Sequence, residues 1–167
     1  MSIRPVRPED AEELAALYAA NRDFLGPFEP VRPPEFFTAD GQRERLERQL
    51  ADATHPFAIL DDAIAGTINL FGIVRESLES GTIGYWVDGA RNGRGLATVA
   101  VGDMLAYAFG DLGLHRVEAS TLVDNVPSQR VLEKNGFERI GLARNYLRIN
   151  GEWRDFLLFQ RLADDGG

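Results

Sequence analysis

Hydrophobic positions along the chain change period several times, and each change marks an element. Residues 2–7 alternate as a short strand. Asp10 then stands as a helix cap with Glu13 three residues on, the spacing of a capping box, and Leu14, Leu17 and Tyr18 supply the apolar stripe of the helix that follows. Residues 24–37 (FLGPFEPVRPPEFF) mix four prolines with four phenylalanines and a leucine, which predicts a loop that packs as well as turns. Thr38 opens a second helix to about residue 52, with Glu44 and Arg48 at i,i+4 spacing.

Three strand-like runs come next, 57–60, 64–74 and 82–87, joined by a tight Asp61-Asp62-Ala63 turn and by the loop RESLESG. Links this short favour antiparallel pairing. A long helix over 96–112 carries Ala97, Val101, Met104 and Ala108 on one face and stops at Gly113. A strand over 116–123, a helix over 126–135 ended by Gly136, and a strand over 137–149 follow. Asn150-Gly151, a strong type I′ signal, turns the chain into a last strand over 153–162. The order β-α-α-β-β-β-α-β-α-β-β predicts an α+β domain, a mixed and mainly antiparallel sheet flanked by helices. The central meander excludes a doubly wound parallel fold. With no repeat or composition break, residues 1–167 read as a single domain.

Composition narrows the chemistry. The 167 residues contain no cysteine, so disulfides and thiolate chemistry are excluded, and with only His55 and His115 no metal site is expected. Eighteen basic against 26 acidic side chains leave a net charge of −8, which argues against nucleic acid as a partner. Such a surface attracts cationic substrates or is simply a solvated face. The polar start MSIRPVRPED and the shortness of every apolar run predict no membrane span and a cytoplasmic location.

One stretch carries specific chemistry: DGARNGRGLATVA, residues 88–100, between the strand ending IGYWV and the long helix. A helix N-terminus offers unpaired N–H groups and partial positive charge, and glycines before it let a ligand approach the backbone. The loop is therefore either a plain strand-to-helix turn or a cradle for a diphosphate. It is neither GxxxxGK[ST] nor a GxGxxG with its acidic partner. A second segment, Asp124-Asn125-Val126-Pro127-Ser128 followed by Val131-Leu132-Glu133-Lys134-Asn135-Gly136-Phe137, reads by itself as an Asx-type turn opening a helix.

Together the two segments resemble the coenzyme motifs of the GNAT acyltransferase superfamily. Asn92-Gly93-Arg94-Gly95-Leu96-Ala97 is similar to its Q/R-x-x-G-x-G/A loop, with Asn92 in place of the usual Gln or Arg and Arg91 one residue earlier. The second segment is similar to the superfamily's N-x-x-S…L-x-x-x-G-F, and the element order also agrees. Within the superfamily the chain resembles the RimJ/RimL branch, and RimJ most, in three places: Asn21–Leu25 with Pro27–Arg32, then Ile83-Gly84-Tyr85, then Asn145–Asp155. Where RimJ-like chains usually continue with His after Arg-Asp, this one has Phe156.

The resemblance implies the GNAT fold, acetyl-CoA as co-substrate without a metal, and direct transfer of the acetyl group to a primary amine in a ternary complex. The acceptor it implies is the N-terminal α-amine of a protein or peptide, of the ribosomal alanine or serine type. A small amine such as an antibiotic or polyamine is the alternative, a non-catalytic CoA-binding module a second, and the protein is expected to be a monomer or homodimer. Amides of Asn92, Gly93, Arg94, Gly95, Leu96 and Ala97 are expected at the diphosphate, with Arg91, Arg94 and Arg130 supplying charge. Asn125 is expected on the pantetheine arm. Trp86 and Val87, at the end of the fourth strand, are expected on the cofactor, the amide of Val87 meeting the oxyanion, although the indoles of Trp86 and Trp153 suit a core better than a site.

Ser128 is the expected acid at the sulfur, with Tyr146 second to it. No obvious base is present: Ser120 occupies a position where some relatives carry Glu, and Glu118, two residues earlier on the same strand face, either acts through water or forms a salt bridge with a neighbour such as Arg116. An α-amine tolerates that lack. At pH 7 about a tenth of α-amines, of pKa about 7.7–8.0, are neutral, against roughly a few in ten thousand lysine amines near 10.4. Phe28, Glu29 and Tyr85 are expected on the acceptor side.

Overall fold

In the computed structural model, which describes residues 2–164, seven strands form one sheet: β1 (Ile3–Pro5), β2 (His55–Asp61), β3 (Ala63–Val74), β4 (Ser80–Val87), β5 (Arg116–Leu122), β6 (Glu138–Ile149) and β7 (Glu152–Leu162). They lie in the order β1-β2-β3-β4-β5-β7-β6. Every neighbouring pair is antiparallel except β4 with β5, which is parallel. The mixed, mainly antiparallel sheet expected from the sequence is therefore present.

Helices cover the sheet on both faces. α1 (Ala11–Ala20) and α3 (Ala39–Ala51) pack on one side, where Leu14 meets Ala58 and Ile64, and Tyr18 meets Phe36 and Trp86. α4 (Leu96–Ala106) and α5 (Val126–Lys134) pack on the other, where Val101, Met104 and Leu132 bury against Ile59, Ile68, Leu70 and Val117. Strand alternation supplies both faces at once: Phe57 and Ile59 point to the α4 side and Ala58 to the α1 side. A bulge after Ile59, which pairs with Gly66 while Leu60 pairs with Ile64, inserts Ala65 and resets the alternation of β3.

Local chemistry fixes the helix starts. Thr38 Oγ1 accepts from the Gly41 amide at 3.1 Å to open α3, and Asn125 Oδ1 accepts from the Ser128 amide at 3.3 Å to open α5. The capping box expected at Asp10 does not form. Asp10 lies in a 3-10 turn, Pro8–Asp10, and its carboxylate turns back to the Arg7 amide and to Arg4 at 2.7 and 2.8 Å. Glu13 instead accepts from the Ile64 amide at 2.8 Å, a tertiary partner that no local pattern could announce. The proline loop is more regular than expected, with a short helix α2 (Arg22–Leu25) and 3-10 turns at Gly26–Phe28 and Pro34–Phe37. The helix expected over 96–112 is α4 followed by a wider turn, Tyr107–Asp111, and Gly113 follows in the left-handed region at φ +60°.

At the far edge, β6 bulges: Ala143 pairs with Phe156 and Leu147 with Arg154, so residues 144–146 loop out opposite Asp155, which holds the Asn145 amide at 2.9 Å. Trp153, expected to suit a core, is instead 62% exposed on β7, because no described residue covers it there.

The Arg4–Asp10 pair joins β1 to the start of α1, and the Arg4 hydrogen bonds hold the Asp10 carboxyl below the usual carboxylate range. A depressed folded pKa contributes stability above the unfolded value, near 3.9, that is lost as pH falls through the folded one. Asp10→Asn should therefore cost about 1–3 kcal/mol at pH 7. In urea melts taken from pH 7 down to 3, its gap from the parent protein should narrow.

Candidate active site

β4 and β5 share only three residue pairs, Ser80–Arg116, Gly81–Val117 and Thr82–Glu118. Beyond them the strands part: β4 stays on β3 as far as Val87, and β5 stays on β7 as far as Leu122. On the β3 side the Asp88 amide donates to Ala65 O at 2.7 Å. Backbone direction alternates along a strand, so the Val87 amide faces the opposite way, into the gap left by β5. The N–H expected to meet an oxyanion is thus directed into the opening.

The glycine loop begins where β4 ends. Asp88 caps a 3-10 turn over Gly89–Arg91, and Gly89 donates to the side chain of Asn21, which is buried, at 2.9 Å. Gly93 and Gly95 take φ +78° and +80°, and an added Cβ on either would meet nothing within 4 Å. Their left-handed backbone turns the chain into the first turn of α4 and leaves open space above it, as a bound diphosphate requires. Asn92, Gly93, Arg94 and Gly95 are exposed, and Leu96 and Ala97 half-buried.

Both loop arginines converge on one carboxylate that sequence reasoning missed. Arg94 reaches Asp61 at 2.5 Å, while Arg91 binds the backbone carbonyl of Asp61 and its carboxylate at 3.3 Å. Asp61 ends β2, thirty residues upstream of the loop, and only the closure of the sheet reveals the pairing. Arg130 is exposed on α5, with no ion pair among the described residues.

Across the gap, the Tyr85 hydroxyl on β4 lies 2.8 Å from Ser128 Oγ and 3.3 Å from Ser128 O at the start of α5. Burial pushes this hydroxyl up to about 12, with the Ser128 contact acting in the other direction. The gap thus brings Val87, Tyr85, Asn125 and Ser128 around one opening. Thr121, beyond the last β4 partner of β5, carries the one buried side-chain polar atom without a hydrogen bond among the described residues.

Other candidates fall elsewhere. Glu118 stands at the closed end of the gap, where Arg116 grips its Oε1 at 2.6 and 2.9 Å, so the salt bridge weighed from the sequence forms. Tyr146 sits on the exposed bulge of β6 and packs on Phe156, ring centroids 5.9 Å apart. Trp86 donates to the Tyr18 hydroxyl at 3.0 Å on the α1 face, opposite the face that carries α4.

A cavity of about 350 Å³ opens beside α2, lined by Tyr18, Arg22, Glu29, Arg32, Phe37 and Asn150 among others. Arg32 pairs with Glu29 at 3.5 Å, and the Asn150 amide of the β6–β7 turn donates to Glu29 O at 2.9 Å, tying the two walls together. Phe28 is exposed outside it, against Phe24. Among the described residues no cluster of three metal-ligating side chains exists, and no helix is long and apolar enough to cross a membrane.

The family profile described as acetyltransferase (GNAT) domain matches residues 1–138. The Bacillus subtilis (strain 168) protein named Probable N-acetyltransferase YjcK is 42% identical over 170 residues, covering 98% of this chain and 94% of that one. The Escherichia coli (strain K12) [ribosomal protein uS5]-alanine N-acetyltransferase is 34% identical over 163 residues, covering 93% and 84%. Among solved structures, Mycobacterium smegmatis RimJ in complex with CoA-disulfide superposes with a TM-score of 0.93 at 32% identity, covering 98% of this chain and 82% of that one.

Two substitutions test the loop. Gly95→Val puts a β-branched side chain at φ +80° over the open cradle; it should lower coenzyme A affinity at least about tenfold, with a backbone strain of about 1–3 kcal/mol. Asp61→Asn removes the carboxylate that competes for both arginines. Calorimetry should show tighter coenzyme A binding at low salt and a steeper loss of affinity as salt rises.

Proposed function

The chain belongs to the GNAT acetyltransferase family, and on that premise we propose that it transfers the acetyl group of acetyl-CoA to the N-terminal α-amine of a protein or peptide beginning with alanine or serine. The observation that carries the reading is the parting of β4 from β5 beside the glycine loop. It leaves a slot with a backbone donor at one wall and a serine at the other.

Acetyl-CoA brings the activated acyl group as a thioester. The amides from Asn92 to Ala97 hold its diphosphate, Arg91, Arg94 and Arg130 add charge, and Asn125 meets the pantetheine arm. Val87 N–H takes the negative charge that develops on the carbonyl oxygen as the amine attacks. Ser128 stands at the departing sulfur. The acceptor enters from the α2 side, past Glu29, whose carboxylate suits a cationic terminus.

Two features favour an α-amine. Glu118 is held by Arg116 and is poorly free to act as a base, so an amine already partly neutral at pH 7 suits the site better than lysine does. The resemblance to the uS5-alanine enzyme extends over 93% of the chain. One domain acting in the cytoplasm completes the reading.

Peptides starting with Ala or Ser should be acetylated, while the same peptides blocked at the α-amine but carrying a free lysine should not. Transfer to the blocked peptides alone would sink the proposal. A preference for polyamines or aminoglycosides in the same panel would move the acceptor to small amines. Tight coenzyme binding with no thiol release for any amine would leave a binding module.

A further inference from the structure

Among the described residues, the side-chain hydrogen bonds between β4 and α5 across the gap all run from the Tyr85 hydroxyl to Ser128. Resting on the placement of Ser128 at the departing sulfur, we propose that Tyr85 is the positioning residue for Ser128, orienting the serine hydroxyl so that its proton is offered to the leaving thiolate.

Hydrogen-bond directions carry the argument. The half-buried Tyr85 hydroxyl, pushed up to about 12 chiefly by desolvation, keeps its proton throughout the working pH range. The two protein oxygens within reach of that proton both belong to Ser128, Oγ at 2.8 Å and the carbonyl at 3.3 Å. Oγ is the nearer. A phenol donating to Oγ occupies a serine lone pair and leaves the serine O–H free to donate elsewhere. The serine amide is fixed separately by Asn125 Oδ1, so the residue is held from two sides. Donors in series also polarise one another, and Ser128 becomes a better donor with Tyr85 behind it than alone.

The step this serves balances simply. The amine nitrogen forms a bond to the acetyl carbon, the carbon–sulfur bond breaks with its electron pair passing to sulfur, and the amine proton leaves to water. Ser128 donates a hydrogen bond to the sulfur as its charge grows, while Tyr85 keeps its proton throughout. Tyr85 touches neither the acyl group nor the sulfur; it acts through Ser128. The strand supports this geometry: Tyr85 lies two residues before Val87, on the same face, and packs against the α4 side of the sheet.

The test is a double-mutant cycle with Tyr85→Phe, Ser128→Ala and the pair, assayed on the best amine of the acceptor panel. Tyr85→Phe should lower kcat about five- to tenfold, the worth of one hydrogen bond, and leave KM for acetyl-CoA within about twofold. The double variant should be no slower than Ser128→Ala alone, because Tyr85 has nothing to act on once the hydroxyl is gone. A Tyr85→Phe enzyme with unchanged kcat beside an impaired Ser128→Ala enzyme overturns the role of Tyr85 and keeps that of Ser128. Losses that multiply in the double variant overturn it too, as does a change confined to KM, which a merely structural residue would give. If Ser128→Ala is unimpaired, the placement of Ser128 itself fails, and with it this inference.

Discussion

The separation of β4 from β5 after three paired residues is the constraint that the rest of the molecule is arranged around. Unpaired backbone inside a sheet is costly, and each strand here is anchored on its far side so that the opening persists. β3 approaches β4 so closely that a Cβ on Gly66 would lie 2.1 Å from Trp86 O. That glycine lets the two backbones close at the level of Val87, and the Asp88–Ala65 hydrogen bond finishes the seam. β5 is secured on β7 by an unbroken register from Arg116 to Leu122. The gap is thus a property of the whole sheet and not of a mobile loop.

Charge is handled locally in an acidic protein. The glycine loop opens a helix whose first backbone amides carry partial positive charge, and its two arginines are already paired with Asp61. Holding them there keeps the long side chains ordered beside the cradle at the cost of competition with any phosphate. The same economy appears at Tyr18, whose hydroxyl accepts from Trp86 Nε1 and from Arg45 at 3.2 Å and so links α1, β4 and α3. The buried Asn21, one turn on, fixes Gly89 at the entrance to the loop.

Much of this was legible in the sequence because it depends on local chemistry. Glycines at positive φ, an Asx cap before Ser128 and the Asn150-Gly151 turn all announce themselves in a few residues. The resemblance to known coenzyme motifs then turned a possible turn into a candidate cradle. What stayed hidden depends on distant partners: Asp61 meets arginines thirty residues away, Glu13 serves a strand rather than its own helix, and Tyr85 reaches across the gap to Ser128. Trp153 misled for a related reason, since hydrophobicity says nothing of whether a neighbour arrives to cover it. For Glu118 the sequence offered two readings, and the salt bridge, the one written into neighbouring residues, is the contact that forms with Arg116.

The two margins of the sheet bear on how copies of this protein meet. β1 is three residues long and ends in a proline, and β6 is broken by the looped-out residues 144–146, with Arg139, Arg144 and Arg148 along its length. Short strands, bulges and cations are the means by which a sheet refuses to template a further strand. An assembly that extended the sheet end to end would have to straighten that bulge and bring like charges together. Self-association of this fold is therefore steered away from continuous intermolecular β-structure, which protects a chain with a permanently open seam at its centre from fibrous aggregation.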